Sequence, residues 1–181
     1  KHVQPNSKEE GVQRLNRILS ESLIKATDTY KTPPQIIWVD NSSIATLGNF
    51  SASTGKAKAK KTFNVSALVA ASLSTGKVLN YRASLPEGKR KILYVDTEQS
   101  DAHTQIVLKR IYRILDMSLD TEDDSVIMLA LRKENASERL KIACEAIEEL
   151  RPDMVVVDGI RDLVQDFNSI DESSKVVGKL M

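Results

Sequence analysis

The chain has 181 residues, 41% hydrophobic and 28% charged, which fits one globular domain with a substantial core and excludes a disordered chain. Its formal net charge of +1 excludes a global basic field, so any nucleic-acid contact must come from local patches. Cys144 is the sole cysteine, so an intrachain disulfide is excluded, and with two histidines a structural zinc site is disfavoured. A reducing, cytoplasmic setting is the simplest expectation. No apolar run reaches transmembrane length, Val65–Leu73 with its serines being the longest, and no membrane partner is expected.

Residues Lys1–Asn6 read as a frayed end. Ser7 and Glu10 form a capping box, and Val12, Leu15, Ile18, Leu19 and Leu23 follow at helical spacing. The pattern predicts an amphipathic helix ending near Thr27, its apolar face suited to the domain body or to a neighbouring subunit. Lys31-Thr-Pro-Pro34 breaks it and separates an N-terminal helix and linker (1–34) from the main domain (35–181). Ile36–Val39 predicts a short strand and Asp40–Ser43 a turn. Trp38 reads as a core or edge anchor, because no aromatic residues interleave with it for base stacking. Ile44–Leu47 then leads into Gly48–Thr54, which reads as another short strand.

Gly55-Lys56-Ala57-Lys58-Ala59-Lys60-Lys61-Thr62 fits the phosphate-loop pattern G-x-x-x-x-G-K-[ST] at every defined position but one. Lys60 stands where the second glycine belongs. In such a loop successive backbone N–H groups curl around an anion, and the next helix turns its positive end toward it. Lys61 would reach the outer phosphates and Thr62 would serve a magnesium ion. Phe63 opens the predicted helix Phe63–Leu73, so residues 55–63 form the candidate nucleotide-contacting segment. The alternative is a solvated, lysine-rich surface turn.

Further on, Gly76 reads as a helix C-cap, Val78–Arg82 as an edge strand and Pro86–Gly88 as a turn. Lys89-Arg-Lys91 reads as a solvated basic loop. Ile92–Asp96 is a dense apolar run of the kind found inside parallel sheets. Glu98 lies just past its carboxyl end, the edge at which open α/β sheets bind ligands. A carboxylate there can orient a water and accept its proton, or simply favour a helix N-terminus. A helix is predicted over 102–116, with His103 on its surface, followed by an acidic loop at 120–124 and a strand at Val126–Leu131. Asn135 and Glu138 cap a helix with Leu140, Ala143, Cys144, Ile147 and Leu150 on one face, so Cys144 reads as packing, not as a nucleophile. Met154-Val-Val-Val-Asp158 matches a Walker B strand, whose aspartate can serve the metal shell. Arg161 reads as a salt-bridge partner, 166–174 as a polar loop, and Glu172 onward as a helix.

Together, Gly55–Thr62, Glu98 and Asp158, with Ile44–Phe50 and Asp158–Leu163, resemble the RecA-like ATPases, especially the RepA-type branch of plasmids and mobile elements. The resemblance covers about residues 33–181. It implies an α/β, three-layer P-loop NTPase fold with a mostly parallel central sheet. It also implies ATP and Mg²⁺ as cofactors, Lys61 on phosphate, Thr62 and Asp158 on the metal, and Glu98 activating water. DNA as partner and a ring-shaped or filamentous homo-oligomer follow from the same resemblance. Lys60 departs from the family glycine. RecA-like cores also carry strands after the Walker B strand that are missing here, so an incomplete sheet and self-association through its edge are expected. The rival expectations are a non-hydrolysing scaffold whose lysines bind DNA or protein, and a small-molecule kinase.

Overall fold

A computed structural model describes residues 7–56, 59–74, 76–121, 123–166 and 168–180. The expected frayed end (1–6) and Ala57 and Lys58 of the loop lie outside these residues. The chain divides into two units, Lys1–Thr32 and Pro33–Met181.

In the first unit, helix α1 spans Ser7–Ser22. It stops short of Thr27, and a local competitor explains why. The Lys25 amide donates to Asp28 Oδ2 at 2.8 Å, and the Asp28 amide donates back to the Lys25 carbonyl at 3.0 Å. An aspartate that offers the backbone such a turn removes the donor a continuing helix would use.

The second unit opens with hairpin β1 (Gln35–Val39) and β2 (Ser42–Thr46), turning at Asp40 and Asn41. Helix α2 (Lys61–Leu73) follows, then hairpin β3 (Lys77–Val78) and β4 (Tyr81–Ala83). The two hairpins join through β1 and β4 into an antiparallel sheet of order β2-β1-β4-β3. Trp38 lies on β1, an inner strand of this sheet paired on both sides, and the Arg82 guanidinium covers its ring at 3.9 Å from the centroid. Gly76 is not the C-cap of α2. Ser74 takes that place, its amide bonded to the Ala70 carbonyl.

Three strands form a separate parallel sheet of order β6-β5-β7: β5 (Ile92–Asp96), β6 (Val126–Ala130) and β7 (Met154–Asp158). Helix α3 (Asp101–Ile114) connects β5 to β6, and α4 (Ala136–Leu150) connects β6 to β7. The cap expected for α4 is present, Asn135 Oδ1 accepting from the Glu138 amide at 3.1 Å. A short 3₁₀ turn (Ile160–Leu163) and α5 (Ile170–Leu180) follow. The last helix starts two residues before Glu172, whose carboxylate instead accepts from the Gln165 and Asp166 amides.

Strand β5 is central and its five residues are fully buried. Its alternation divides the core between two faces. Ile92 and Tyr94 pack with Val69 and Ala70 of α2 and Val107 and Ile111 of α3. Leu93 and Val95 pack on the opposite face with Ala143 of α4. Each such aliphatic side chain contributes about 1.5–3 kcal/mol by leaving water. The result is a mixed α/β unit with a small parallel sheet and helices on both faces.

Further expectations need correction. Val78–Arg82 is not one edge strand: the chain turns at Leu79 and Asn80, where Leu79 takes a positive φ of 50°, and Val78 and Tyr81 pair across hairpin β3–β4. The described strands form two sheets, one antiparallel and one parallel, in place of a single mostly parallel sheet. Residues 48–54 are a turn and an unpaired exposed segment, not a strand. Gly48 takes a positive φ of 76° that reverses the chain after β2. Beyond it, Ser51, Ala52, Ser53 and Thr54 have no apolar face to bury, and Ser51 Oγ bonds the Ile44 carbonyl. Among the described residues, no helix is long and apolar enough to cross a membrane.

Candidate functional site

The parallel strands share one register, so Asp96 of β5 and Asp158 of β7 stand side by side at the carboxyl edge of the sheet. Side chains in register point to the same face, which is the face covered by α2. The chain therefore brings the start of α2 to the strand ends by packing alone.

The Thr62 hydroxyl, in the first turn of α2, donates to Asp158 Oδ2 at 3.1 Å. A hydroxyl that gives its proton to a carboxylate keeps its lone pairs for another electrophile. The same Oδ2 accepts from the Tyr94 hydroxyl at 2.9 Å. Burial first, then the adjacent Asp158 charge, push the Tyr94 pKa far above the ordinary phenol value, so the phenol remains a donor.

Lys60, the residue in the second-glycine position, has φ 56° and ψ 29°. This is the left-handed conformation that glycine adopts freely and that costs another L-residue about 1–2 kcal/mol. Lysine thus follows the backbone path a glycine would take, and its carbonyl accepts from the Asn64 amide to begin α2. Gly55 is less constrained, since a Cβ there would meet Ala59 and Lys61 side chains at 3.5–3.6 Å, ordinary contact. The Lys61 ammonium folds back over the loop and donates to the Gly55 carbonyl at 3.0 Å and the Lys56 carbonyl at 3.3 Å. Phe63 is exposed, with the Arg110 guanidinium of α3 5.6 Å from its ring centroid. The same guanidinium donates to Ser66 Oγ at 3.3 Å, and Ser66 donates to the Thr62 carbonyl at 2.7 Å.

Glu98 is presented by a built turn. Asp96, fully buried, accepts the Glu98 and Gln99 amides on Oδ1 and the Thr104 hydroxyl on Oδ2. Thr97 Oγ1 lies 2.8 Å from the Gly159 carbonyl and 3.1 Å from that of Asp158, tying this turn to the end of β7. Gly159 has φ 98°, and a Cβ there would overlap Thr97 Oγ1 and come within 2.7 Å of Glu98 Cγ. Only glycine fits. Partial burial of the Glu98 carboxyl, then the charges of Asp158 and Asp162, raise its pKa above the usual carboxylate value, and Lys61 opposes them. The residue as a whole is exposed, which limits the desolvation part and leaves the neighbouring carboxylates as the firmer cause. On the far side, Arg139 donates to the carbonyls of Leu131, Arg132 and Asp162, fastening the 3₁₀ turn to the end of β6.

Lys61, Thr62, Glu98 and Asp158 therefore share one sheet edge, with Gly55, Lys56, Ala59 and Lys60 in the exposed loop beside them. Phe63 lies next to Arg110, and Ala57 and Lys58 are outside the described residues. Tyr94, Thr97, Asp162 and Arg110 join the site without a motif in the sequence that marks them. For Tyr94 a signal existed: it is two residues before Asp96, hence on the same strand face, with a polar tip in an otherwise aliphatic run.

Among the described residues there is no cluster of three or more His, Cys, Asp or Glu able to hold a metal. Mg²⁺ characteristically takes one or two protein oxygens, with phosphate and water completing its shell. The Thr62–Asp158 pair supplies hard oxygen donors of this kind. Comparison with protein-family models, with curated proteins and with solved structures gave no match.

Proposed function

We propose that the chain is a RecA-like P-loop ATPase that binds and hydrolyses ATP with Mg²⁺. The observation that carries this reading is the Thr62–Asp158 hydrogen bond, between the residue after the loop lysine and the aspartate ending an apolar strand. The left-handed Lys60 supports it, since a lysine there keeps a glycine-like backbone. Lys61 would exchange the loop carbonyls for the outer phosphates, and Thr62 and Asp158 would hold the metal, which supplies neutralising charge when bound. Glu98 would orient a water and accept its proton. DNA as partner, homo-oligomeric assembly and a role in replication or mobilisation follow from the RepA-type resemblance and belong to the same proposal.

The turned-back Lys61 ammonium favours a second reading, a binding scaffold without turnover, in which the lysine stays on the loop. Calorimetry of ATP with Mg²⁺ on the parent and on Lys61→Ala tests the first. Binding by the parent that the variant loses is the expected result. Equal binding by both would remove Lys61 from the site. DNA binding that falls steeply with salt and ignores ATP would favour the scaffold.

A further inference from the structure

We propose that Tyr94 is a positioning residue for the metal shell, acting through Asp158; the inference rests on the ATPase reading above. Tyr94 is fully buried in the cluster formed by β5, α2 and α3, so its hydroxyl cannot touch a nucleotide or a hydrated ion. Its hydroxyl donates to Asp158 Oδ2, at 2.9 Å.

The arrangement is asymmetric. Both donors, Tyr94 from the core and Thr62 from α2, use Oδ2, while no described residue donates a hydrogen bond to Oδ1. A carboxylate has acceptor capacity on both oxygens. Saturating one from the protein side fixes the carboxylate plane and leaves the other for a hydrated cation beside the Thr62 lone pairs. Close packing makes this donor effective, because the ring is buried in one cluster with Val69 and Ala70 of α2 and Val107 and Ile111 of α3. Tyr94 thereby links the packing of α2 and α3 to the orientation of the metal-serving carboxylate. A buried phenol that merely needed an acceptor would be satisfied by the same bond, so the test must separate metal dependence from scaffold stability.

Tyr94→Phe removes the hydroxyl and keeps the ring. The experiment is calorimetric titration of ATP at graded Mg²⁺, and in EDTA, on the parent, Tyr94→Phe, Asp158→Asn and the double variant, with circular dichroism to follow folding. Outer-shell partners of metal ligands typically cost 10–100-fold in metal affinity when removed. The expected result is about a tenfold rise in the Mg²⁺ needed for half-maximal ATP binding. Binding in EDTA should be unchanged, and Tyr94→Phe should have no further effect on metal dependence in the Asp158→Asn background. An equal loss with and without metal, or loss of folding in Tyr94→Phe, would make the hydroxyl part of the scaffold and overturn the proposal. An additive effect in the double variant would show that Tyr94 does not act through Asp158. If the parent itself shows no Mg²⁺-dependent ATP binding, the ATPase reading fails and this inference with it. If only the Tyr94 comparison is flat, the ATPase reading stands alone.

Discussion

Thr97 Oγ1 lies 2.8 Å from the carbonyl oxygen of Gly159, closing the end of β5 onto the turn after β7. That closeness leaves no room for a side chain at 159, where φ is 98° and a Cβ would overlap the Thr97 hydroxyl. A non-glycine residue in such backbone costs about 1–3 kcal/mol before the clash is added. Gly159→Ala should therefore lower the free energy of unfolding by about 3 kcal/mol, read by urea denaturation. Combined with Thr97→Ala, which removes the overlapping oxygen, the loss should be smaller than the sum of the single effects. A nearly neutral Gly159→Ala would mean that this turn is built differently.

The Thr62–Asp158 bond makes a separate prediction about stability, independent of any ligand. A hydrogen bond to a charged group contributes about 1.5–3 kcal/mol, and both partners here are only half-buried, so the lower part of that range applies. Thr62→Val, which keeps the shape and removes the donor, should cost about 1.5 kcal/mol. A double-mutant cycle with Asp158→Asn isolates the pair, and a coupling near zero would show that the two side chains do not meet in solution.

Lys60 offers a case in which two opposing effects have similar size. Relieving a left-handed L-residue gains about 1 kcal/mol, while the extra freedom of glycine in the unfolded chain returns about 0.5–1 kcal/mol. Lys60→Gly should thus change stability by less than about 1 kcal/mol. Lys60→Val places a β-branched residue in the same backbone and should cost clearly more. Thermal melting of the pair decides it. If Val is tolerated as well as Gly, Lys60 does not hold φ 56°.

The parallel half of the fold, and the placement of Lys61, Thr62, Glu98 and Asp158 near its carboxyl edge, are legible because their signals are long or repeated. Leu140, Ala143, Ile147 and Leu150 mark one helix face, Asn135 announces its start, and the run ending in Asp158 is too apolar for a surface. What was not legible depends on partners distant in sequence. Ser51–Thr54 has the length of a strand but no apolar face to bury, and it remains unpaired. The antiparallel sheet arises because β1 meets β4 some forty positions later, as the Trp38–Arg82 register shows, and no local pattern states that. The end of α1 falls short of its periodic pattern because Asp28 offers a turn that periodicity ignores. Tyr94 is silent in the sequence for the opposite reason: in an apolar strand its ring accounts for its presence, and the hydroxyl matters only once Asp158 lies beside it.

Glu98 gives the last prediction, and its sign follows from its neighbours. Partial burial and then Asp158 and Asp162 raise its pKa, while Lys61 lowers it. The folded carboxyl thus holds its proton to higher pH than the unfolded one, whose value is near 4.3. Its contribution to stability is full below that unfolded value and is lost as pH rises through the folded one. On the proposed ATPase reading the direction matters differently: a water-activating base must be ionised, so the acid limb of the rate should lie at higher pH than an unshifted carboxyl would give. Asp162→Asn removes a raising charge while its amide oxygen can still meet the Thr97 hydroxyl, and it should move the Glu98 titration to lower pH. Lys61→Met removes the lowering charge and should move it to higher pH. Carbon-detected NMR of the Glu98 carboxyl reads both shifts without requiring turnover. Shifts in the same direction would show that Glu98 does not lie between these two charges, and its assignment as the base beside the phosphate loop would fall with them.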